Sequence, residues 1–268
     1  MNVKEVTDLV LSLNGGKRIE PTCDQLIEGD WNSQVTGVAT TFMATVDVIR
    51  QAIKECCNFI ITHEPTYFTG PDRLDWLKDD EVYQAKKEFI NKNKVSIWRF
   101  HDHMHMGPGD LIYDGLLEHM GWTAYLNKNI PQPHCYTIPP TDVAGLVKFL
   151  KKNLGMNTIQ IVGRKKTKCS RVGILVGGGS LGLGHEEMPA KLMRDENLDA
   201  IICGEITEWT LAAYVRDAAQ LGFNKALIIV GHERSEGPGM EGLVNRIRPL
   251  LKDIPVKYIE AGEPFSYL

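Results

Sequence analysis

The chain has 268 residues, of which 43% are hydrophobic and 24% are charged, and its formal net charge is −4. This slightly acidic balance disfavours nucleic acid as a partner, because non-specific nucleic-acid binders are normally basic. No apolar run approaches the roughly 20 residues that span a bilayer, and the first residues lack the layout of a signal peptide, so we expect no membrane partner.

The first half of the chain alternates between helical and strand-like patterns. Helical spacing covers residues 3–15, 45–57, 79–92 and 111–120, and strand-like runs cover 34–39, 59–62 and 95–100. Strands that alternate with helices in this way predict a largely parallel sheet with helices on its faces.

A second α/β run follows a proline-rich stretch at 131–140, which predicts a boundary. Its predicted helices are 143–154, a helix after Pro189, 209–221 and 239–251, and its predicted strands are 159–162, 171–176, 199–203, 225–230 and 256–260. The glycines at 236–239 predict a loop before the last helix. The six scattered cysteines form no Cys-x-x-Cys pair, which favours a reducing, cytoplasmic location over a disulfide scaffold.

Three apolar runs each lead into a histidine beside another potential metal ligand. The run at 58–62 leads into His63 and Glu64, the run at 95–100 leads into His101 and His105, and the run at 226–231 leads into His232, four residues before Glu236. Strand ends are where α/β folds place their chemistry. Imidazole and carboxylate together suit zinc, iron or manganese. The sequence therefore predicts one metal site assembled from distant parts of the chain.

Each cluster has a second interpretation when it is taken alone. If the strand continued past Phe100, period-two alternation would aim His101, His103 and His105 to one side, whereas a turn there would let His101 and His105 converge. A polar, histidine-rich loop is a further reading. At 232–236 the spacing also suits an ordinary hydrogen bond between histidine and carboxylate.

Two further signals stay open at this point. The glycines between Gly177 and Gly182 have the spacing of a dinucleotide-binding turn, but the next helix starts only near Pro189, so a glycine-rich turn, with or without an anion contact, is the favoured reading. Glu205, together with Glu208, could orient a metal ligand, contact a substrate or cap the helix that follows.

The order of these motifs resembles the NIF-three-like family, dinuclear-metal proteins often labelled GTP cyclohydrolase I type 2. The matching segments, in chain order, are Ile60-Ile61-Thr62-His63-Glu64-Pro65, His101 with His105, Gly178-Gly179-Ser180, Gly204-Glu205, and Gly231-His232-Glu233-Arg234-Ser235-Glu236. The resemblance implies two α/β lobes with mostly parallel central sheets flanked by helices. It assigns residues 1–126 and 225–268 to a first lobe that carries the metal ligands, and 127–224 to a second lobe.

The resemblance also implies a ligand set and an assembly. One or two divalent ions would be held by His63, Glu64, His105, His232 and Glu236, with His101 close by as a ligand or a general base. Family members that we know as similar form homohexamers.

Three positions depart from the family pattern. Glu64 stands where a second histidine is expected, and His105 stands for an aspartate that would bridge two metals. Four interpretations of this pair are open. It could be a compensating exchange that keeps one carboxylate, or it could indicate a single metal, a changed metal preference or a degenerate site. Trp209 also stands where many members have a histidine.

Two functions remain open from the sequence. The first is a metal-dependent hydrolase of a small molecule, either nucleotide-like or a cyclic amide, with Glu205 as a candidate acid beside the metal and His101 as a candidate base. The second is a metal-binding regulatory or chaperone-like oligomer without turnover.

Overall fold

The computed structural model describes residues 1–13, 15–16, 18–127 and 134–268. The chain divides into two compact units: unit 1 comprises Met1–Leu116 and Gly237–Ala261, and unit 2 comprises Leu117–Glu236 and Gly262–Leu268. This division differs from the sequence-based one at residues 117–126, 225–236 and 262–268. At 225–236 the reason is that the strand that begins at Ala226 pairs within unit 2. Residues 131–133 of the predicted boundary, and Asn14 at the end of the first predicted helix, lie outside the described residues.

The secondary structure follows the predicted alternation. The helices are α1 (Val3–Ser12), α2 (Val46–Lys54), α3 (Glu81–Lys92), α4 (Asp102–His105), α5 (Leu111–Met120), α6 (Val143–Asn153), α7 (Met188–Asp195), α8 (Ala213–Gln220) and α9 (His232–Leu251). The strands are β1 (Leu26–Glu28), β2 (Val38–Thr41), β3 (Phe59–Thr62), β4 (Ser96–Arg99), β5 (Cys135–Asp142), β6 (Gln160–Gly163), β7 (Lys168–Leu175), β8 (Ala200–Cys203), β9 (Ala226–Ile229) and β10 (Val256–Tyr258).

The sheet of unit 1 has five strands in the order β1-β4-β3-β2-β10. All neighbours in it are parallel except β1, which pairs antiparallel with β4. Strands β3 and β4 are adjacent and end level, with Thr62 opposite Arg99. The residues that follow these two strands therefore emerge at the same edge of the sheet.

The sheet of unit 2 also has five strands, in the order β5-β7-β8-β9-β6. Its centre is parallel, with Leu175 of β7 opposite Cys203 of β8 and Cys203 opposite Ile229 of β9. The two outer strands, β5 and β6, are antiparallel to their neighbours. The predicted architecture of two helix-flanked α/β lobes is confirmed, with a mixed rather than mostly parallel sheet in this unit.

Strand β5 replaces part of the predicted proline-rich boundary. It contains Pro139 and Pro140, and its register against β7 shifts between Thr137 and Thr141. A proline cannot donate to a strand ladder, so it is tolerated at a sheet edge or an irregularity. Both conditions hold in β5, which is an edge strand.

The predicted loop at 236–239 is wrong, because α9 begins at His232 and runs through it. Within unit 1, a Cβ atom at Gly239 would lie 2.7 Å from the Cα of Ile112, and one at Gly115 would lie 2.6 Å from the Cα of Gly239. The glycines thus allow the backbones of α5 and α9 to touch rather than allowing the chain to fold back.

Core packing and helix capping explain why the hydrophobic spacing of the sequence predicted helices and strands. In unit 1, Ile49 of α2 packs with Ile60 and Ile97 of the sheet, all fully buried. Side-chain oxygens cap several helices, including Asn2 at α1 and Asp80 at α3. No helix within the described ranges is long and apolar enough to cross a membrane.

Candidate metal centre

Three histidines come together at the carboxyl edge of the unit 1 sheet. His63 follows β3 directly. His101 immediately precedes the single turn of α4, and His105 is its last residue. One ring nitrogen from each lies within 4.8 Å of the others. The chain turns after Phe100, so the open question about this segment is resolved: His101 and His105 converge.

Each of these three rings is held through its Nδ1 atom by an oxygen. Nδ1 of His63 lies 3.2 Å from the carbonyl oxygen of Phe100, that of His101 lies 2.9 Å from Oδ1 of Asp102, and that of His105 lies 2.8 Å from Oδ2 of Asp110. A carbonyl or carboxylate oxygen only accepts, so each Nδ1 carries a proton and donates it. The lone pair of each neutral ring is therefore on Nε2, and an oxygen behind a histidine is the usual arrangement in metal sites.

The spacing of the Nε2 atoms suits one cation. Nε2 of His63 and Nε2 of His105 are 3.2 Å apart. Two imidazole ligands about 2.05 Å from a tetrahedral zinc ion would be about 3.3 Å apart. With both protons on Nδ1, the two lone pairs point at each other, an arrangement that a metal ion or an added proton between them stabilises. The residues present fit a divalent metal.

Glu64 adds a carboxylate beside these rings. Its Oε1 lies 3.8 Å from Nε2 of His101, and its Oε2 lies 3.5 Å from the guanidinium of Arg99. The Arg99 side chain is buried and also donates to the carbonyl oxygens of His63 and Gly70. Arg99 therefore fixes the segment that carries both His63 and Glu64.

His103 points away from this group and has a structural role. Its Nδ1 lies 2.7 Å from Oδ2 of Asp24, and its Nε2 accepts from the backbone N–H of Ile19 at 3.0 Å. Both nitrogens are therefore used, and the ring is neutral. Asp24 also accepts from the backbone N–H groups of residues 101, 102 and 103, at 2.7, 2.8 and 3.1 Å, so it holds the start of α4.

Cys23 and Asp102 form a further group with His101. Burial raises the pKa of the Cys23 thiol to about 12, so it is protonated at neutral pH, and its Sγ lies 3.3 Å from Oδ1 of Asp102. Burial opposes the charged form of Asp102. Hydrogen bonds from the backbone N–H of Cys23 and from His101 outweigh it and hold the pKa of this carboxyl below its usual range. Cys23 acts here as a donor that keeps Asp102 ionised behind His101.

In unit 2, His232 stands between two carboxylates. Its Nδ1 lies 3.0 Å from Oε1 of Glu205, and its Nε2 lies 3.0 Å from Oε2 of Glu236. Glu236 is buried, whereas half of the Glu205 side chain is exposed. Glu205 thus occupies the position of a residue that orients a histidine, and His232 with Glu236 offers a nitrogen and an oxygen at a spacing that one cation could bridge.

The glycine-rich turn packs against this pair. A Cβ atom at Gly177, where φ is +51°, would lie 2.1 Å from Oε1 of Glu236 and 2.6 Å from Nε2 of His232. The N–H of Gly177 donates to the hydroxyl of Ser235, and its carbonyl accepts from the N–H of Glu205. The turn therefore shapes the surroundings of Glu236, and α7 begins only at Met188, unlike a dinucleotide-binding turn.

The sequence profile described as Duf34/NIF3 (NGG1p interacting factor 3) matches residues 1–264. The chain belongs to this family. It is 24% identical to a Clostridium perfringens protein named GTP cyclohydrolase 1 type 2 homolog, over 91% of this chain and 90% of that protein. A Bacillus cereus protein described as related to NIF3 has a similar structure, with a TM-score of 0.76, 14% identity, and coverage of 100% of this chain and 99% of that one. Staphylococcus aureus protein SA1388 is similar too, with a TM-score of 0.74, 18% identity, and the same two coverages.

Two of the three departures of this Duf34/NIF3 chain from the resemblance pattern have a local partner. Glu64 is paired with Arg99, and His105 is paired with Asp110. Trp209, the third departure, is 73% exposed. The exchange at 64 and 105 thus leaves a histidine-rich group with one adjacent carboxylate in unit 1.

The residues that orient the histidines of this Duf34/NIF3 protein were not among the predicted site residues. Asp110 accepts from the N–H groups of Ile112 and Tyr113 as well as from His105. An aspartate directly before the predicted helix at 111–120 is a typical helix N-cap, so the sequence could have indicated this residue. Asp24 and Arg99 carried no comparable signal, because their partners are distant in sequence or follow from the strand pairing.

Proposed function

We propose that the protein binds divalent metal through His63, Glu64, His101 and His105 in unit 1, and through His232 and Glu236 in unit 2, with one or two ions per chain. The observation that carries this proposal is the common orientation of His63, His101 and His105, each donating from Nδ1 to an oxygen. Imidazole with one carboxylate suits zinc, iron or manganese.

We further propose that the protein is a metal-dependent hydrolase of a small molecule, either nucleotide-like or a cyclic amide. A bound ion supplies a Lewis acid that acidifies water and polarises the substrate. Side chains of the protein orient the proposed ligands. Asp102 and Asp110 orient His101 and His105, Arg99 holds Glu64 in place, and Glu205 orients His232 and is exposed enough to reach a ligand. His101 is a ligand or a base that takes a proton from the attacking water.

A panel of nucleotides, cyclic amides and phosphoesters, combined with metal analysis of the purified protein, tests both proposals. We expect turnover that a chelator abolishes. His105→Ala should reduce it by at least about 100-fold, because the loss of a residue that merely orients a ligand already costs about 10–100-fold. His119→Ala is the matched control, because His119 is exposed and its Nε2 bonds the carbonyl oxygen of Asn153 within unit 2. Absence of metal from the purified protein would refute the ligand assignment.

The second candidate function is a metal-binding regulatory or chaperone-like oligomer. The pairing of Glu64 with Arg99 favours it, because a carboxylate drawn to a guanidinium is less available to substrate or metal. Bound metal together with no turnover across the whole panel would select this function.

The remaining expectations concern assembly and location. We propose a homohexamer, on the strength of the family resemblance, and light scattering coupled to gel filtration measures it. The six cysteines are all free thiols, which supports a proposed cytoplasmic location.

A further inference from the structure

The charges of this chain are unevenly distributed along the sequence. Between Asp142 and Glu186 there are eight basic residues and no acidic one, although the whole chain has a net charge of −4. Four of these eight basic residues lie within residues 164–168, which lead from β6 into β7. Unit 2 therefore has a locally basic segment, and the acidic excess of the chain lies elsewhere.

This basic segment borders two exposed apolar side chains. Leu221 is 76% exposed and Phe223 is 61% exposed, on the turn between α8 and β9. The side chain of Asn224, in the same turn, donates to the carbonyl oxygen of Lys168 at 2.9 Å and accepts from its N–H at 3.0 Å. The guanidinium of Arg164 donates to a carbonyl oxygen near the end of α8. These bonds hold the cationic and the apolar groups together as one surface.

This basic apolar surface consists of Arg164, Lys165, Lys166, Lys168, Leu221 and Phe223, all of which are exposed. Among the residues that the structure describes, no carboxylate forms an ion pair with any of its four basic side chains. Exposed cations without a counter-charge attract an anionic partner, and the apolar pair between them loses contact with water when such a partner binds.

Unit 1 carries a surface of the opposite charge. Residues 75–82 contain four carboxylates and one lysine, and within them Trp76 is 54% exposed and Val82 is 65% exposed. Trp76 lies in a short 3₁₀ turn that is anchored by the fully buried Leu77, and the carboxylate of Asp80 caps the start of α3. The segment is therefore fixed in place while its tryptophan faces solvent. The acidic apolar surface consists of Asp75, Trp76, Glu81 and Val82.

The two surfaces match in charge and in apolar content. Each presents two large exposed apolar side chains beside charges of one sign, and exposed patches of this kind mark interaction sites. A tryptophan is a common anchor of protein interfaces. An anionic membrane or a nucleic acid would fit only the basic apolar surface and would leave Trp76 and Val82 in water. A second copy of the chain supplies a partner for both surfaces.

We propose that the acidic apolar surface of one copy binds the basic apolar surface of a second copy. This contact deepens the proposed homo-oligomer and rests on it. Two different surfaces meet, so the contact is heterologous, and every copy retains one free surface of each kind until a ring closes. Closed rings are compatible with the proposed homohexamer.

Sedimentation velocity and light scattering on the full-length protein test the contact, at about 50 mM and about 500 mM salt. We expect an oligomer that dissociates more readily at the higher salt concentration, because screening weakens contacts between exposed charges. Trp76→Ala should raise the dissociation constant at least about 30-fold, as the loss of a tryptophan anchor does. Phe265→Ala, which removes another exposed aromatic ring, should leave it unchanged.

The charges are tested with a matched pair of substitutions. Lys166→Glu should raise the dissociation constant about fivefold at the lower salt concentration, in the range measured for exposed ion pairs. Lys152→Glu makes the same change at an exposed lysine of α6 and should have no effect. Circular dichroism establishes that each variant is folded.

A mixture of two variants tests whether the two surfaces meet each other. Trp76→Ala keeps an intact basic apolar surface, and Phe223→Ala keeps an intact acidic one. The equimolar mixture should contain a species heavier than either variant forms alone, because each pair of unlike copies has one intact contact. No heavier species in the mixture would overturn the proposal.

The remaining outcomes separate this contact from the proposed homo-oligomer. A wild type that stays monomeric at micromolar concentration would overturn both. An oligomer that Trp76→Ala and Lys166→Glu leave unchanged would overturn this contact alone. Binding to phosphatidylglycerol vesicles that Lys166→Glu abolishes, with the oligomer unchanged, would assign the basic apolar surface to a lipid and would overturn the proposal as well.

Discussion

Gly177 offers a sharp test of how unit 2 is built around Glu236. Its φ of +51° lies in the left-handed region, and a Cβ atom there would lie 2.1 Å from Oε1 of Glu236. Normal contact of such atoms begins near 3.4 Å, so Gly177→Ala must move either the turn or the buried carboxylate by about 1 Å.

The magnitude follows from two costs. A left-handed alanine costs about 1–2 kcal/mol relative to glycine. The overlap adds about 1–3 kcal/mol, because Glu236 is buried and cannot swing into solvent. Gly177→Ala should therefore lower the free energy of unfolding by about 2–5 kcal/mol.

Urea unfolding monitored by circular dichroism measures this difference. Gly178→Ala is the matched control, because its φ is −82° and a Cβ atom there would meet nothing closer than 3.9 Å. The control should stay within about 0.5 kcal/mol of the wild type. If Gly177→Ala unfolds at the same urea concentration as the wild type, the described approach of the turn to Glu236 and His232 is wrong.

Three further predictions concern unit 1. Asp24→Asn should lower the free energy of unfolding by about 2–3 kcal/mol, because it removes a charged acceptor shared by four N–H groups. Asp79→Asn, at an exposed aspartate, is the control, and equal losses of stability in the two variants would refute the role of Asp24. Gly115→Ala should destabilise by about 1–3 kcal/mol despite the better helix propensity of alanine, since it separates α5 from α9; a rise in melting temperature would contradict that contact. Burial lowers the pKa of Lys86 to about 8, with Asp72 partly offsetting it, so between about pH 8 and 10.5 the unfolded chain binds more protons and stability should rise with pH. The free energy of unfolding of the wild type relative to Lys86→Met should therefore increase between pH 7 and pH 10, and a constant difference would show that Lys86 is not buried as described.

Local pattern explains the parts that the sequence predicted well. The strand at 59–62 and the helix at 111–120 have the predicted bounds. The first is a short apolar run and the second an amphipathic run, and each ends where its hydrophobic pattern ends. The same patterns placed His63, His101 and His232 directly after strands. The parallel pairing then gathered the first two of these at one edge of a sheet.

What the sequence did not predict depends on distant contacts. Arg99 and Asp24 act through backbone groups far along the chain, and no spacing rule identifies them. The loop prediction is wrong because α9 continues through Gly237 and Pro238. Gly239 allows close contact with Ile112 and does not form a turn. Tertiary packing overrode local propensity there.

We propose that His63 and His105 share a cation. Anomalous difference maps, recorded on either side of the zinc, iron and manganese edges from crystals of the protein as purified, test it most directly. We expect a peak about 2.0–2.2 Å from the Nε2 atoms of both residues, and the edge at which it appears identifies the metal. The absence of a peak there, with the two Nε2 atoms still 3.2 Å apart, would mean that a shared proton rather than a metal joins them and would contradict the proposed metal site.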